Sequence, residues 1–187
     1  RAPMPSRRRP LLVVDGYNVL HATPRYERLV DAGARGGRLG ADPFDRAREQ
    51  LLDDVASYAH GAYEAVIVYD AAGNLSPEHP DLVSGGVRQV FSARGQSADE
   101  VIEGLVTQAR EAGRSVTLVT SDGTVRATAG FGPGEVTCVS SALLAAEMQR
   151  ESQEVARVAQ TASRTRMTLE DRISPEQRER LWKLLGR

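Results

Sequence analysis

Four aspartates stand either at the end of a short apolar run or at the start of the helix that follows one. They are Asp15, Asp70, Asp99 and Asp122. If the apolar runs are parallel strands of one sheet, all four positions fall at its carboxyl edge, where α/β sheets bind ligands. Carboxylates that share a crevice raise one another's pKa or recruit a cation, and oxygen ligands select hard ions such as Mg²⁺ or Mn²⁺. The spacing therefore predicts a divalent-metal centre of the kind that hydrolyses phosphodiesters.

Several polar side chains beside these aspartates are candidates for supporting roles. They are Asn18, Glu100, Thr120 and Ser121. Asn18 is spaced to hydrogen-bond a metal-bound water or a carboxylate, or else is a turn amide bonded to its own backbone. Glu100 also completes a capping box, and the two hydroxyls either orient Asp122 or cap the next helix. Any single aspartate at a strand end is often a helix N-cap, but four in equivalent positions favour a site.

The apolar runs are short and nearly continuous, as expected for strands covered by helices on both faces. Five strands are predicted, at residues 11–14, 65–69, 87–92, 116–120 and 136–140. Helical patterns separate them. This alternation predicts right-handed βαβ units, and hence an α/β fold with a central parallel sheet.

The helices carry recognisable start and stop signals. Asp42-Pro43 is typical of an N-cap and a first helical residue, and apolar residues then recur at helical spacing. Ser97–Glu100 is a capping box that opens a helix ending near Gly113. We expect a short helix after Asp122 and a longer one after Ser140.

Three stretches lack regular patterning. Pro24–Gly40 contains Gly-Ala-Arg-Gly-Gly-Arg and predicts a long flexible loop after the first strand. Thr161–Arg172 is polar and predicts a linker, after which Ser174 begins a last short helix. Residues 1–9 are polar and proline-rich, and we expect them to be flexible.

Composition excludes several classes of protein. The 187 residues carry a net charge of -1 at pH 7, so no global basic field is available for binding nucleic acid. Cys138 is the single cysteine, which excludes a disulfide framework and a cysteine-based zinc site. No apolar run approaches the roughly 20 residues that cross a bilayer, so we expect a cytoplasmic protein with no membrane partner.

Four segments of the chain resemble, in order, the motifs of the YacP-like branch of NYN domains. They are Leu12–Val19 (LVVDGYNV), Val66–Ala71 (VIVYDA), Ser97–Glu100 (SADE) and Val119–Asp122 (VTSD). The resemblance runs from about residue 11 to about residue 150. It implies a PIN-like three-layer fold with sheet order 3-2-1-4-5, in a domain that we place at residues 10–160. Residues 161–187 would then be the linker and C-terminal helix.

The same resemblance implies a metal-dependent endoribonuclease that leaves 5′-phosphate and 3′-hydroxyl ends. Members of this branch are linked to mRNA cleavage on translating ribosomes, which makes mRNA and the ribosome the expected partners. By motif position, Asp15, Asp70, Asp99 and Asp122 carry over as the Mg²⁺ or Mn²⁺ ligands, with Asn18 as a supporting group. Two features depart from the branch: a longer Gly/Arg-rich segment at 35–40 and a tail beyond residue 150.

Because the chain has no net positive charge, RNA phosphates would have to meet local cations. The arginines nearest to the predicted acidic edge are Arg25, Arg28, Arg35, Arg38, Arg94 and Arg126. For any single one of them, an ordinary solvated charge is the favoured interpretation.

Two other function classes fit the sequence less well than the nuclease. An inactive RNA- or ribosome-binding adaptor would gain nothing from massed negative charge facing phosphates. A phosphohydrolase acting on small esters typically has a second aspartate two residues after the first, and Tyr17 occupies that place.

Overall fold

A computed structural model describes residues 8–37, 41–71, 82–121, 133–171 and 174–184. The chain divides into two compact units, residues 1–148 and residues 149–187. The first unit contains a sheet, and the described part of the second is helical. No helix in the described ranges is long and apolar enough to cross a membrane.

Six strands form one sheet in the first unit. Their bounds are β1 (Leu11–Asp15), β2 (Glu64–Tyr69), β3 (Leu82–Ser84), β4 (Val87–Phe91), β5 (Val116–Val119) and β6 (Val136–Val139). The spatial order is β3-β4-β2-β1-β5-β6, and every neighbouring pair is parallel except β3 with β4. Numbered as predicted from the sequence, the five parallel strands run 3-2-1-4-5, so the predicted order is confirmed.

Strand β3 was not predicted. It covers three residues and pairs antiparallel with β4 across Gly85-Gly86, whose φ angles are 60° and 79°. Two adjacent residues with positive φ suit a tight hairpin turn, and glycine adopts that conformation without steric cost. A run this short carries too little periodicity to be recognised as a strand.

The helices described by the structure lie between and after these strands. Their bounds are α1 (Gly16–Ala22), α2 (Pro24–Gly36), α3 (Asp45–Ala59), α4 (Ala98–Glu111), α5 (Ser141–Asp171) and α6 (Pro175–Leu184). The helix expected after Asp122 lies outside the described residues. The stretch predicted as a linker at 161–172 is helical as far as Asp171, where α5 ends.

The prediction of a flexible loop at Pro24–Gly40 was wrong over most of that range, because residues 24–36 form α2. Proline stands at the start of this helix, where its fixed φ is favourable. Buried Tyr26 donates a 2.7 Å hydrogen bond to Asp54 of α3. A Cβ on Gly33 would lie 2.6 Å from the Pro43 carbonyl oxygen, so this glycine allows close packing of backbone rather than flexibility.

Alternate residues of the central strands pack on opposite faces of the sheet. On one face, Leu12 and Val14 of β1 belong to a core with residues of α1, α2, α3 and the start of α5. On the other face, Leu11 and Val13 belong to a core with residues of α4. The sheet is thus the middle layer of three. By the same alternation, the residue after Val14 belongs to the face that α4 covers.

Candidate active site

Asp15 is the last residue of β1 and the N-cap of α1. The backbone N–H of Asn18 donates to its Oδ1 at 3.5 Å, and the Thr120 hydroxyl donates to its Oδ2 at 3.3 Å. Because Val14 pairs with Val119 in the parallel register, Thr120 continues β5 directly beside Asp15. Asp15 is therefore a cap, as one interpretation of the sequence allowed, but its second oxygen is held from a neighbouring strand.

Asp70 follows β2 and is tied to the first turn of α4. Its Oδ2 accepts a 3.3 Å hydrogen bond from the backbone N–H of Ala98. Strand alternation places Val66 and Val68 on the α4 face, so Asp70 continues that face as Asp15 does. Asp99 is the residue after Ala98 and is exposed at the N-terminus of α4. The fold thus brings three of the four predicted acids to one edge and one face of the sheet.

The capping box predicted for α4 is present. Ser97 Oγ accepts from the N–H of Glu100 at 3.2 Å, and Glu100 Oε2 accepts from the N–H of Ser97 at 3.2 Å. The carboxylate of Glu100 is therefore used structurally, which is the alternative that the sequence left open.

Asn18 joins three elements of the first unit. Its Oδ1 accepts a 3.0 Å hydrogen bond from the backbone N–H of Ser121 and a 2.6 Å hydrogen bond from the hydroxyl of Ser141. The backbone N–H of Ser141 in turn donates to Ser121 Oγ at 3.4 Å. Asn18 is therefore a tertiary contact, and the alternative interpretation, a turn amide bonded to its own backbone, does not hold for its oxygen.

Sequence reasoning missed two buried serines beside these acids. Ser141 is fully buried and binds Asn18. Ser92 is also buried, and its Oγ accepts from the N–H of Ala71 at 2.8 Å, which fixes the backbone just after Asp70. Ser92 is the last residue of the predicted third strand and Ser141 directly follows the predicted fifth strand, and this position at the strand ends is the one signal that could have found them.

A single glycine lets the β1–α1 junction close on the sheet. A Cβ on buried Gly16 would lie 2.3 Å from Cε1 of the Tyr69 ring, so no other residue fits without displacing that ring. The close approach at Gly16 is thus between its backbone and the Tyr69 ring.

Next to this glycine, Tyr17 is held from the side of the sheet opposite α4. Arg48 donates from Nη1 to the Tyr17 hydroxyl at 3.1 Å. Burial raises the pKa of Tyr17, and the charge of Arg48 partly opposes that rise. The phenol is accordingly neutral at physiological pH.

The predicted cationic residues are spread over several elements. Arg25 forms a 3.2 Å ion pair with Asp54, whereas Arg28, Arg35 and Arg94 are exposed. The remaining predicted site residues, Asp122, Arg38 and Arg126, lie outside the described residues.

The described residues contain no group of three or more His, Cys, Asp or Glu side chains that could hold a metal ion. The donor chemistry of Asp15 and Asp70 nevertheless fits one cation class. Mg²⁺ takes oxygen ligands and is usually held by one or two protein carboxylates, with water and substrate phosphate completing its shell. Two carboxylates at one sheet edge therefore suit Mg²⁺ better than zinc, which prefers nitrogen and sulfur.

A family model described as YacP-like NYN domain matches residues 12–185. The chain belongs to this family. The matched range contains all four segments that carried the resemblance in the sequence. Membership places this YacP-like NYN protein among the PIN-like nucleases, which is a nuclease- and RNA-related role in general terms.

Named relatives of this YacP-like NYN protein come from Bacillus subtilis. The protein YacP of strain 168 is 28% identical over 112 residues, an alignment that spans 60% of each chain. A crystal structure of Rae1 (YacP) superposes with a TM-score of 0.64 over 93% of both chains at 24% identity. A single-substitution variant of Rae1 matches with a TM-score of 0.62 over 82% of this chain and 84% of that one, at 25% identity. The PIN-like fold is thereby confirmed.

Proposed function

We propose that this protein is a metal-dependent endoribonuclease that hydrolyses RNA phosphodiester bonds. The observation that carries the proposal is the placement of Asp15 and Asp70 on one face of the sheet, with Asp70 bound to the helix turn that holds Asp99. The proposed ligands of Mg²⁺ or Mn²⁺ are Asp15, Asp70, Asp99 and Asp122. Family membership supports the nuclease class, and the metal and the substrate are our proposals.

When bound, the metal would activate the attacking water and stabilise the leaving 3′ oxygen. The protein's own contribution is pre-organisation. Thr120 and the N–H of Asn18 hold both oxygens of Asp15, so little reorganisation is needed when substrate arrives. The N-terminus of α4 carries a partial positive charge, which offsets the negative charge of Asp70 and Asp99.

RNA would be held through its phosphates by exposed arginines. Arg28 and Arg35 on α2 and Arg94 before α4 are exposed, whereas Arg25 is engaged by Asp54. We therefore assign phosphate contacts to the first three before Arg25. We further propose translated mRNA in the cytoplasm as substrate and the ribosome as partner, following the family resemblance.

The test is cleavage of a 5′-labelled single-stranded RNA by purified protein with Mg²⁺, with Mn²⁺ and with EDTA, in the presence and absence of ribosomes. We expect metal-dependent cleavage that leaves 5′-phosphate and 3′-hydroxyl ends. Asp15→Asn and Asp122→Asn should each lower the rate by at least about a hundredfold. Asp53→Asn neutralises an exposed carboxylate on α3 and should cleave like the wild type.

Two results would overturn the proposal. Unchanged cleavage by Asp15→Asn would show that the site is wrong. RNA binding without cleavage under every metal and ribosome condition would instead identify an adaptor that keeps the fold without turnover.

A further inference from the structure

Ser141 is a fully buried polar side chain at the edge of the sheet that holds the acids. It is the first residue of α5, and its hydroxyl donates to Asn18 Oδ1 at 2.6 Å. The two residues are 123 positions apart in the chain. Buried polar side chains are almost always hydrogen-bonded, and here the partner is a single amide. This bond therefore indicates that Ser141 orients the side chain of Asn18.

A second donor, the backbone N–H of Ser121, binds the same oxygen of Asn18 and shows how the amide is oriented. A backbone N–H can only donate, so the atom of Asn18 that faces the N–H of Ser121 must be the amide oxygen. Ser141 then supplies a donor to the other lone pair of that oxygen. Both acceptor positions of the amide are thereby occupied, and the side chain is locked in one of its two possible orientations.

The consequence concerns the other half of the amide. The nitrogen of Asn18 lies on the opposite branch of the planar group and carries two hydrogens. No hydrogen bond joins it to another residue in the described ranges, and the side chain is only half-buried. What Asn18 offers to a ligand is therefore a pair of donors and no free acceptor.

We propose that Ser141 is a positioning residue that locks Asn18 so that its amide nitrogen binds a phosphate oxygen of the RNA. Metals accept ligand lone pairs, and the Asn18 oxygen has none to spare, so Asn18 is not a metal ligand. Anionic phosphate oxygens are pure acceptors and match an N–H pair. This inference rests on the proposed function, because it takes the phosphodiester as the ligand.

The first experiment measures the affinity of a fluorescein-labelled single-stranded RNA in EDTA, by fluorescence anisotropy. Without metal, loss of a metal ligand would not change RNA affinity, whereas loss of a phosphate donor would. We expect Asn18→Ala to weaken binding by about tenfold. Wild-type affinity in this variant would overturn the inference.

The second experiment tests whether Ser141 acts through Asn18. Ser141→Ala should weaken RNA binding by about fivefold in the wild-type background and leave it unchanged in the Asn18→Ala background. Equal losses in both backgrounds would mean that Ser141 is merely structural. Ser140→Ala is the matched control: Ser140 Oγ accepts from the N–H of Leu143 and forms no hydrogen bond with Asn18 in the described part of the chain, so binding should stay within about twofold.

A third variant separates the two roles of Asn18 by cleavage with Mn²⁺. Asn18→Asp retains acceptors for Ser121 and Ser141 but has no donors, and its charge repels phosphate. If Asn18 binds phosphate, this variant should lose cleavage. If Asn18 were instead a metal ligand, the new carboxylate would still bind Mn²⁺ and cleavage would be retained.

If the wild type binds RNA in EDTA but never cleaves it, the proposed function fails and the amide test still gives its result. If the wild type cleaves and Asn18→Ala binds normally, only this inference fails. A wild type that neither binds RNA in EDTA nor cleaves it under any metal or ribosome condition overturns both.

Discussion

Arg48 of α3 donates to the Tyr17 hydroxyl at 3.1 Å and so connects this helix to the first turn of α1. The same guanidinium forms a 2.6 Å ion pair with Asp42, and both side chains are buried. It also lies over the rings of Tyr69 and Phe91, at 6.0 Å and 5.8 Å from their centroids. One buried charge therefore fixes the position of α1 two residues after Asp15.

Arg48→Met should unfold at much lower urea than the wild type, because it leaves the Asp42 carboxylate buried without its counter-charge. Breaking a buried pair in this way costs about 3–5 kcal/mol of unfolding free energy. Arg46→Met removes an exposed arginine two residues away on the same helix and should change stability by no more than about 0.5 kcal/mol. Equal stabilities of the two variants would contradict this account of the ion pair.

Asp70 has a structural and a chemical role that two substitutions separate. Asp70→Asn keeps an oxygen for the N–H of Ala98 but removes the charge, so it should fold normally and cleave RNA at least about a hundredfold more slowly. Asp70→Ala loses the acceptor as well and should also cost about 1 kcal/mol of stability. Urea unfolding and initial cleavage rates provide both values.

The control for that pair is Ser97→Ala. It removes the N-cap of α4 without changing any charge, so it should cost about 1 kcal/mol and retain cleavage. If Asp70→Asn cleaved as well as Ser97→Ala, Asp70 would be only a cap.

Gly16→Ala tests the packing of the β1–α1 junction. Its Cβ would lie 2.3 Å from the Tyr69 ring, and overpacking of this kind costs about 1–3 kcal/mol. Because Asp15 precedes and Asn18 follows, RNA cleavage should fall as well. Gly104→Ala is the matched control: it lies in α4 with nothing within 4 Å of its Cβ, so it should stabilise the protein by about 1 kcal/mol. Two variants of equal stability would argue against the close approach.

The sheet could be predicted because its information is local. Each parallel strand is a short apolar run, and the order of the strands was implied by the resemblance to the family. The acids could be located for the same reason: Asp15 and Asp70 stand one residue beyond such runs, and strand ends fix where the next residue lies.

What could not be predicted depends on contacts between distant residues. Gly33 lies in helix α2 and packs closely against Pro43, whereas the glycine-rich composition of this segment alone suggested a loop. Arg48 and Tyr17 are 31 residues apart, and Ser141 and Asn18 are 123 apart. No sequence periodicity connects residues so far apart. The groups that orient the candidate site could therefore be identified only from the folded structure.

Two buried tyrosines differ in a way that stability measurements can resolve. The Tyr69 hydroxyl is buried and has no hydrogen-bond partner in the described part of the chain, whereas Tyr26 donates to Asp54 at 2.7 Å. Tyr69→Phe should therefore raise the unfolding free energy at pH 7 by about 1 kcal/mol. Tyr26→Phe should lower it by about 1.5–3 kcal/mol, since a bond to a charged acceptor is lost. Destabilisation by Tyr69→Phe would contradict the first expectation.

Tyr69 also makes the unfolding free energy depend on pH in the alkaline range. Burial raises the pKa of Tyr69 well above its ordinary value near 10, and the charge of Arg48 offsets only part of that rise. Above pH 10 the unfolded chain therefore loses this proton while the folded chain keeps it, so stability falls as pH rises. One such group contributes up to about 1.4 kcal/mol per pH unit. Urea titrations at pH 9, 10 and 11 should show a smaller fall for Tyr69→Phe than for the wild type, and equal slopes would refute the assignment.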